Sequence, residues 1–383
     1  MELYQGFEQG PIRPPSEANS MLFRLTRNCS WNRCTFCSVY KDEKFSLRPV
    51  ADVIRDIDTV HRIVEELEKG EGLSRLGVKQ LISSLNPSER QAYSAARHWL
   101  AEGCKSVFLQ DGNSLIMNSA DLIRVLQHIK QRFPQVERVT SYARSDTVAR
   151  ISEENLKEIA DAGLNRIHIG LETASDTILK MVKKGVSKET HVKAGIKVKQ
   201  TGIELSEYVL TGIGGSEFSE EHAIETAEAL NLINPDFIRF RTLHILESLN
   251  LYDAGEETRY QRPTDLVIAN EIKLLVSKLE NITSTVKSDH MLNLFQEVDG
   301  VLPQDGERLV NVLQTFIDMT PEQQMFFQVG KRLGHFQRLQ DMQLPGRLAE
   351  IDTLCRQHGL TPDNVDDKIH EMIQERMKMG MNF

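Results

Sequence analysis

The chain has 383 residues, with 46 Lys and Arg against 55 Asp and Glu, a formal charge of −9. Charged residues make up 26% and the AVILMFWYC set 40%, the balance of an ordinary folded protein, and 23 Gly with 12 Pro are too few for a collagen-like or disordered chain. The acidic balance argues against general nucleic-acid binding. No run of about 18 apolar residues offers a transmembrane helix, and the start Met-Glu-Leu-Tyr-Gln-Gly has no signal-peptide pattern, so the expected setting is cytoplasmic.

Pro11, Pro14 and Pro15 keep residues 1–20 irregular, and residues 21–27 read as a strand. Helical spacing of apolar residues covers 50–68. An alternation then sets in: helix 88–102, strand 106–111, helix 119–132, strand 138–144, helix 153–162, strand 166–172, helix 188–201, strand 203–210, helix 219–233 and strand 237–243. Ser152 caps the helix that Glu153 and Glu154 open, and Gly163 ends it. Six strands with intervening helices predict a parallel α/β sheet, open or closed into a partial barrel. Beyond about residue 285 helices take over, with a capping box at Thr320–Gln323, a last helix opened by Thr361-Pro362, and 287–293 as a hinge strand or loop. The expected division is an irregular segment 1–20, an α/β domain 21–285 and a helical subdomain 286–383.

Five cysteines occur, and Cys29, Cys34 and Cys37 fall within nine residues on the loop after the first strand. So few cysteines in a long chain do not make a disulfide framework. Three thiolates can hold three irons of a [4Fe–4S] cluster and leave the fourth iron open to a ligand. Structural zinc is the alternative, and would need a fourth ligand such as Cys104 or His61.

With Phe36 just before the third cysteine, this loop resembles that of the radical SAM superfamily. The first spacer has four residues where the usual one has three. Over residues 20–245 the chain is most similar to the branch containing coproporphyrinogen oxidases, methylthiotransferases and elongator-type proteins. The resemblance implies a partial (β/α)6 barrel with a C-terminal helical subdomain, and one [4Fe–4S] cluster on Cys29, Cys34 and Cys37. It further implies S-adenosylmethionine bound at the open iron, and an external one-electron reductant of the flavodoxin or ferredoxin type. Asp111-Gly112-Asn113 takes the place of the loop that binds the cofactor's amino group. Glu172 ends a matching fourth-strand motif, Gly212 opens the glycine-rich turn 212–215, and Lys199 stands where a basic residue meets the cofactor carboxylate. Phe36 and Arg144 complete the expected cofactor-binding set. No residue is singled out for the hydrogen-abstraction step. With about 20 residues before the first strand, no N-terminal cobalamin or methylthiotransferase domain is expected.

Strand parity turns Tyr142, Arg144, His168, Gly170, Glu172, Arg239 and Arg241 to the inward face, away from Ile167, Ile169, Leu171, Ile238 and Phe240. The arginines suggest a small-molecule substrate with a negative charge, unless Glu172 and Asp111 neutralise them. Cys104 and Cys355 read as buried apolar residues. Lys180, Lys183 and Lys184 read as solvated surface, Arg332, His335 and Arg338 as a wet helical stripe, and Met372, Met377, Met379 and Met381 as loose terminal packing. The activity expected is reductive cleavage of S-adenosylmethionine to a 5′-deoxyadenosyl radical. The competing class is an iron–sulfur or zinc binding or sensor protein without turnover.

Overall fold

A computed structural model describes residues 4–69, 86–244, 251 and 260–378. Its strands are β1 (Met21–Arg24), β2 (Thr26–Arg27), β3 (Ser46–Leu47), β4 (Ser106–Gln110), β5 (Arg138–Ala143), β6 (Arg166–Glu172), β7 (Glu204–Thr211), β8 (Phe237–Thr242), β9 (Thr285–Lys287) and β10 (Gly300–Val301). Eight of them form one sheet in the order β1-β4-β5-β6-β7-β8-β9-β10, and β2 pairs with β3 in a separate antiparallel ladder. The registers are parallel from β1 to β4, β4 to β5, β5 to β6, β7 to β8 and β8 to β9, and antiparallel from β9 to β10. The strand order has two ends and does not close on itself.

The helices follow the apolar spacing. They are α1 (Val50–Lys69), α2 (Pro87–Ala101), α3 (Ser119–Arg132), α4 (Ser145–Arg150), α5 (Glu153–Asp161), α6 (Asp176–Met181), α7 (Lys188–Gln200), α8 (Ser219–Ile233) and α9 (Asp265–Ser277), then α10 (Gly306–Ile317), α11 (Pro321–Arg332), α12 (Arg347–Gln357) and α13 (Val365–Lys378). Ser152 accepts from the Asn155 amide at the start of α5, and Thr320 with Gln323 forms the capping box of α11. Both caps satisfy amides that a helix start leaves unpaired. Several elements depart from the expectation. The first strand breaks at Leu25, β3, β10 and the helices α4, α6 and α9 passed unread, and β9 adds a seventh parallel strand that ends on Lys287, the first residue of the expected hinge.

The chain forms two compact units, residues 1–32, 39–169 and 193–205 in the first, and 33–38, 170–192 and 206–383 in the second. In the first, α1 buries Val53, Ile57, Val60 and Ile63, and Trp99 meets Phe133 edge-on at 4.9 Å. Burying side chains of that size stabilises by roughly 1.5–3 kcal/mol each. On the other face of the sheet Phe108, Tyr142 and His168 form an aromatic row. The irregular N-terminal segment covers it. Glu17 is wholly buried, 3.6 Å from His168 Nε2 and hydrogen-bonded by Ser20 at 2.6 Å. Burial alone would raise its pKa, but His168, Ser20 and Arg138 hold it below the ordinary value. His168 thus packs against the chain's own N-terminus. In the second unit Phe295 meets Phe316 edge-on, Phe316 meets Phe327 at a tilt, and Phe327 stacks on Phe336.

Candidate active site

In the first unit the ladder of β2 and β3, Thr26 on Leu47 and Arg27 on Ser46, closes the base of the loop that begins at Asn28. Asn28 and Asn32 take left-handed backbone angles, φ 68° and 46°, which asparagine tolerates better than most residues. Glu8, from the irregular segment, ties the surroundings together through Arg24 at 3.3 Å, Arg27 at 2.8 Å and Arg48 at 2.7 Å. These arginines outweigh its burial and hold its carboxyl below the ordinary pKa.

Asp111, Gly112 and Asn113 follow β4 and meet this loop. A Cβ added at Gly112 would lie 3.7 Å from that of Cys29 and 3.4 Å from the Tyr40 ring, ordinary contact distances that put this turn directly against the loop. Asn113 donates to Ser30 Oγ at 3.0 Å and to Thr147 Oγ1 at 2.9 Å, and accepts from the Arg144 amide at 3.1 Å. The Arg144 guanidinium lies 5.2 Å from the centre of the Trp31 ring while its Nε bonds Asp146 at 2.9 Å. Three expected site residues therefore rest on three successive loop residues, Cys29, Ser30 and Trp31. Asp111 is wholly buried and already engaged. Its Oδ2 takes the Arg24 guanidinium at 2.8 Å and the Asn28 amide at 3.2 Å, and its Oδ1 takes the Tyr40 hydroxyl. Burial, reinforced by the Asp111 charge, raises the Tyr40 pKa far above its ordinary value.

In the second unit the segment 33–38 carries Cys34, Phe36 and Cys37. The Thr35 amide bonds the Val182 carbonyl at 3.1 Å, and Phe36 packs on the cluster of Ile178, Met181, Val182, Leu210 and Ile213. Lys184 Nζ stands 5.5 Å from the Phe36 ring centre and 2.9 Å from Glu172 Oε1. Lys184 is buried, against the expectation of a solvated surface, while Lys180 and Lys183 are exposed. Glu172 itself sits at φ 65°, uncommon outside glycine and Asn. Glu207 on β7 is also wholly buried, and neither carboxyl oxygen has a hydrogen-bond partner among the described residues. Burial, reinforced by the Glu172 charge, lifts its pKa well above the ordinary value, against the pull of Lys184.

Gly212, at φ 81°, donates its amide to Glu271 Oε1 at 2.8 Å, and Ser219 Oγ donates to Oε2 at 2.8 Å. His222 lies 3.7 Å from that carboxylate and 2.9 Å from Thr173 Oγ1, next to Glu172. Burial pushes the Glu271 pKa up to about 7 and the His222 pKa down to about 3. Arg239 and Arg241 converge on Asp289, at 2.5 Å and 2.8 Å, and Arg241 also covers the Tyr208 ring at 4.7 Å. The carboxylate that meets them is thus Asp289, not Glu172 or Asp111. Arg241 holds the Asp289 carboxyl below its ordinary pKa in spite of burial.

Lys199 lies half-buried in the last turn of α7, ahead of the N-terminal end of β7. Cys104 and Cys355 are buried free thiols, and burial pushes the Cys104 pKa up to about 11. The expected stripe of Arg332, His335 and Arg338 does not exist, because α11 stops at Arg332, which pairs with Asp265 at 2.9 Å. Met379, Met381 and the side chain of Met377 lie outside the described residues. Glu207, Glu271 and His222 went unread. An acid inside the buried strand ELSEYVLT was the one available signal.

All five cysteines are free. Among the described residues no group of three or more His, Cys, Asp and Glu comes together as around a single metal ion. The donor set, three thiols on one loop whose start packs on a glycine, suits an iron–sulfur cluster better than a mononuclear ion. No helix of the described residues is long and apolar enough to cross a membrane.

The Radical SAM superfamily matches residues 23–230, more than half of the chain. The chain belongs to this superfamily of enzymes, and membership implies iron–sulfur and S-adenosylmethionine binding. Among curated relatives, the tRNA uridine(34) acetyltransferase of Methanocaldococcus infernus is 25% identical over 163 residues, 42% of this chain and 30% of that protein. The heme chaperone HemW of Bacillus subtilis is 22% identical over 199 residues, 51% of this chain and 52% of that protein. Among solved structures, coproporphyrinogen III oxidase (HemN) from Escherichia coli is 12% identical, with a TM-score of 0.44 over 68% of this chain and 52% of that one. The chain spans about half or less of the length of these curated relatives.

Proposed function

We propose that the chain holds one [4Fe–4S] cluster on Cys29, Cys34 and Cys37 and uses S-adenosylmethionine for hydrogen abstraction from a small anionic substrate. An external flavodoxin- or ferredoxin-type protein supplies the electron. When bound, the cluster and S-adenosylmethionine supply reductive cleavage to methionine and a 5′-deoxyadenosyl radical. The observation that carries the reading is the packing of Gly112, Asn113 and Arg144 on Cys29, Ser30 and Trp31.

In this reading Gly112 sets its turn directly against the loop, and Asn113 and Arg144 fix the loop's shape. Asp111 is a positioning residue, because its oxygens already hold Arg24, Asn28 and Tyr40. Lys184 offers an ammonium to the cofactor carboxylate, and Glu172 accepts from ribose hydroxyls or from the cofactor ammonium. Phe36 and the Gly212 turn provide apolar and backbone surface for the nucleoside. The negative charge assigned to the substrate is supported by two guanidiniums on the single carboxylate of Asp289. Arg241 Nη2 is buried and without a hydrogen-bond partner among the described residues. The formal charge of −9 favours a small molecule over a nucleic acid as substrate.

The test is anaerobic reconstitution with iron and sulfide, addition of dithionite and S-adenosylmethionine, and chromatographic assay for 5′-deoxyadenosine. The product should form, and should be absent from each of the three single Cys→Ala variants. A cluster-bearing chain that forms none under any reductant would favour the sensor reading instead.

A further inference from the structure

A cavity of about 160 Å³ opens within the second unit between the segment 291–296 and helices α11 and α13. That is small beside the roughly 300–1,000 Å³ of pockets for drug-sized ligands, but large enough for a short organic acid. Its apolar wall is Leu294, Met372 and Ile373, of which Leu294 and Ile373 are buried. Its cationic wall is Lys331, Arg332 and Arg376, and among the described residues no carboxylate lines it. In a chain with nine more acids than bases, a small space whose described lining holds three cations and no acid calls for a reason.

The cations are only partly neutralised. Lys331 bonds two neutral oxygens, Gln296 Oε1 and the Gln337 carbonyl, each at 2.8 Å, and the charges of Glu297 and Asp341 act on it from outside the cavity lining. Arg332 binds Asp265 through Nη2, but its Nη1 is buried without a hydrogen-bond partner among the described residues. Arg376 has no carboxylate within ion-pair distance among the described residues. The wall also adjoins the sheet, since Asn293 accepts from the Thr242 amide at 2.9 Å and donates to the Phe240 carbonyl at 2.9 Å.

We propose that this cavity binds a small amphiphilic carboxylate, its apolar part against Leu294, Met372 and Ile373 and its charged end held by Lys331, Arg332 and Arg376. The site does not depend on the radical chemistry, and needs no iron to be tested. Titration calorimetry on the full chain at matched ionic strength, with hexanoate, hexan-1-ol and inorganic phosphate as probes, reads it directly. Hexanoate should bind saturably with one site per chain, and hexanol and phosphate at least about tenfold more weakly, since each lacks one half of the recognition. Arg376→Gln and Lys331→Gln should each weaken hexanoate by about tenfold or more. Lys368→Gln, on the exposed part of the same last helix and paired with Glu371, should leave it unchanged. No saturable binding of hexanoate, equal binding of hexanol or phosphate, or wild-type binding by Arg376→Gln would each overturn the proposal.

Discussion

Lys184 and Glu172 form an ion pair at 2.9 Å in which both side chains are largely buried, 10% and 16% exposed. The two are separated by the short helix α6, and the Phe36 ring, one residue before Cys37, lies beside the ammonium. The pair therefore joins the end of β6 to the last part of the cysteine loop. Removing one partner leaves the other charge in a poorly solvated place.

Lys184→Gln should destabilise the chain by about 3 kcal/mol, the low end for a broken buried pair, as read by chemical denaturation. Glu172→Gln should cost less, because the freed ammonium can lean toward Glu207, whose carboxyl pKa burial raises well above the ordinary value. Both variants should weaken S-adenosylmethionine binding while iron content stays normal. Unchanged binding in Glu172→Gln moves that residue to a structural role.

Asn113→Ala removes three hydrogen bonds at once, to Ser30, Thr147 and the Arg144 amide. With Asn113 wholly buried, the expected loss is about 2–3 kcal/mol, since the Arg144 amide and both hydroxyls lose a partner. The cysteine loop should then lose iron faster under chelator challenge than the wild type. Equal retention would detach Asn113 from the loop's shape.

Glu271 and His222 set opposite pH slopes. The folded pKa of Glu271 is raised to about 7, so its contribution is complete below the unfolded value of about 4.3 and is lost as pH rises through 7. The folded pKa of His222 is lowered to about 3, so its contribution is present above the unfolded value of about 6.5 and is lost as pH falls toward 3. Denaturation midpoints from pH 5 to 8 should therefore fall at the alkaline end, and Glu271→Gln should flatten that limb. A wild-type limb that stays level would show that Gly212 and Ser219 stabilise the carboxylate more than burial opposes it.

Asp289→Asn strands the charges of Arg239 and Arg241 together. With Asp289 about a third exposed, the loss should be near 3 kcal/mol rather than 5. The Asp289 carboxyl is held below its ordinary pKa, so this support is complete above about pH 4 and lost only in stronger acid, as pH falls through the folded value. An Asp289→Asn variant as stable as the wild type at pH 7 would mean that other groups neutralise the arginines.

The sheet and its helices were legible because they rest on local signals. Apolar spacing, the Ser152 cap and the Thr320 capping box act over a few residues, and the observed bounds agree with them to within one to three. The three cysteines and the Asp111–Asn113 turn were legible as motifs. What escaped depends on pairing across the chain. The charge of Lys184 pointed to solvent until Glu172 stood beside it, and the partner of Arg239 and Arg241 lies some 50 residues on, in a loop without a pattern. The proline-rich start read as a tail, yet Glu8 and Glu17 anchor there through partners that only the fold supplies.

Metal analysis of anaerobically purified chain and its cysteine variants tests the central claim most directly. The account predicts about four irons per chain, lost in Cys29→Ala, Cys34→Ala and Cys37→Ala and kept in Cys104→Ala and Cys355→Ala. Stoichiometric zinc without iron in the wild type, or iron that survives the loss of Cys29, would contradict it.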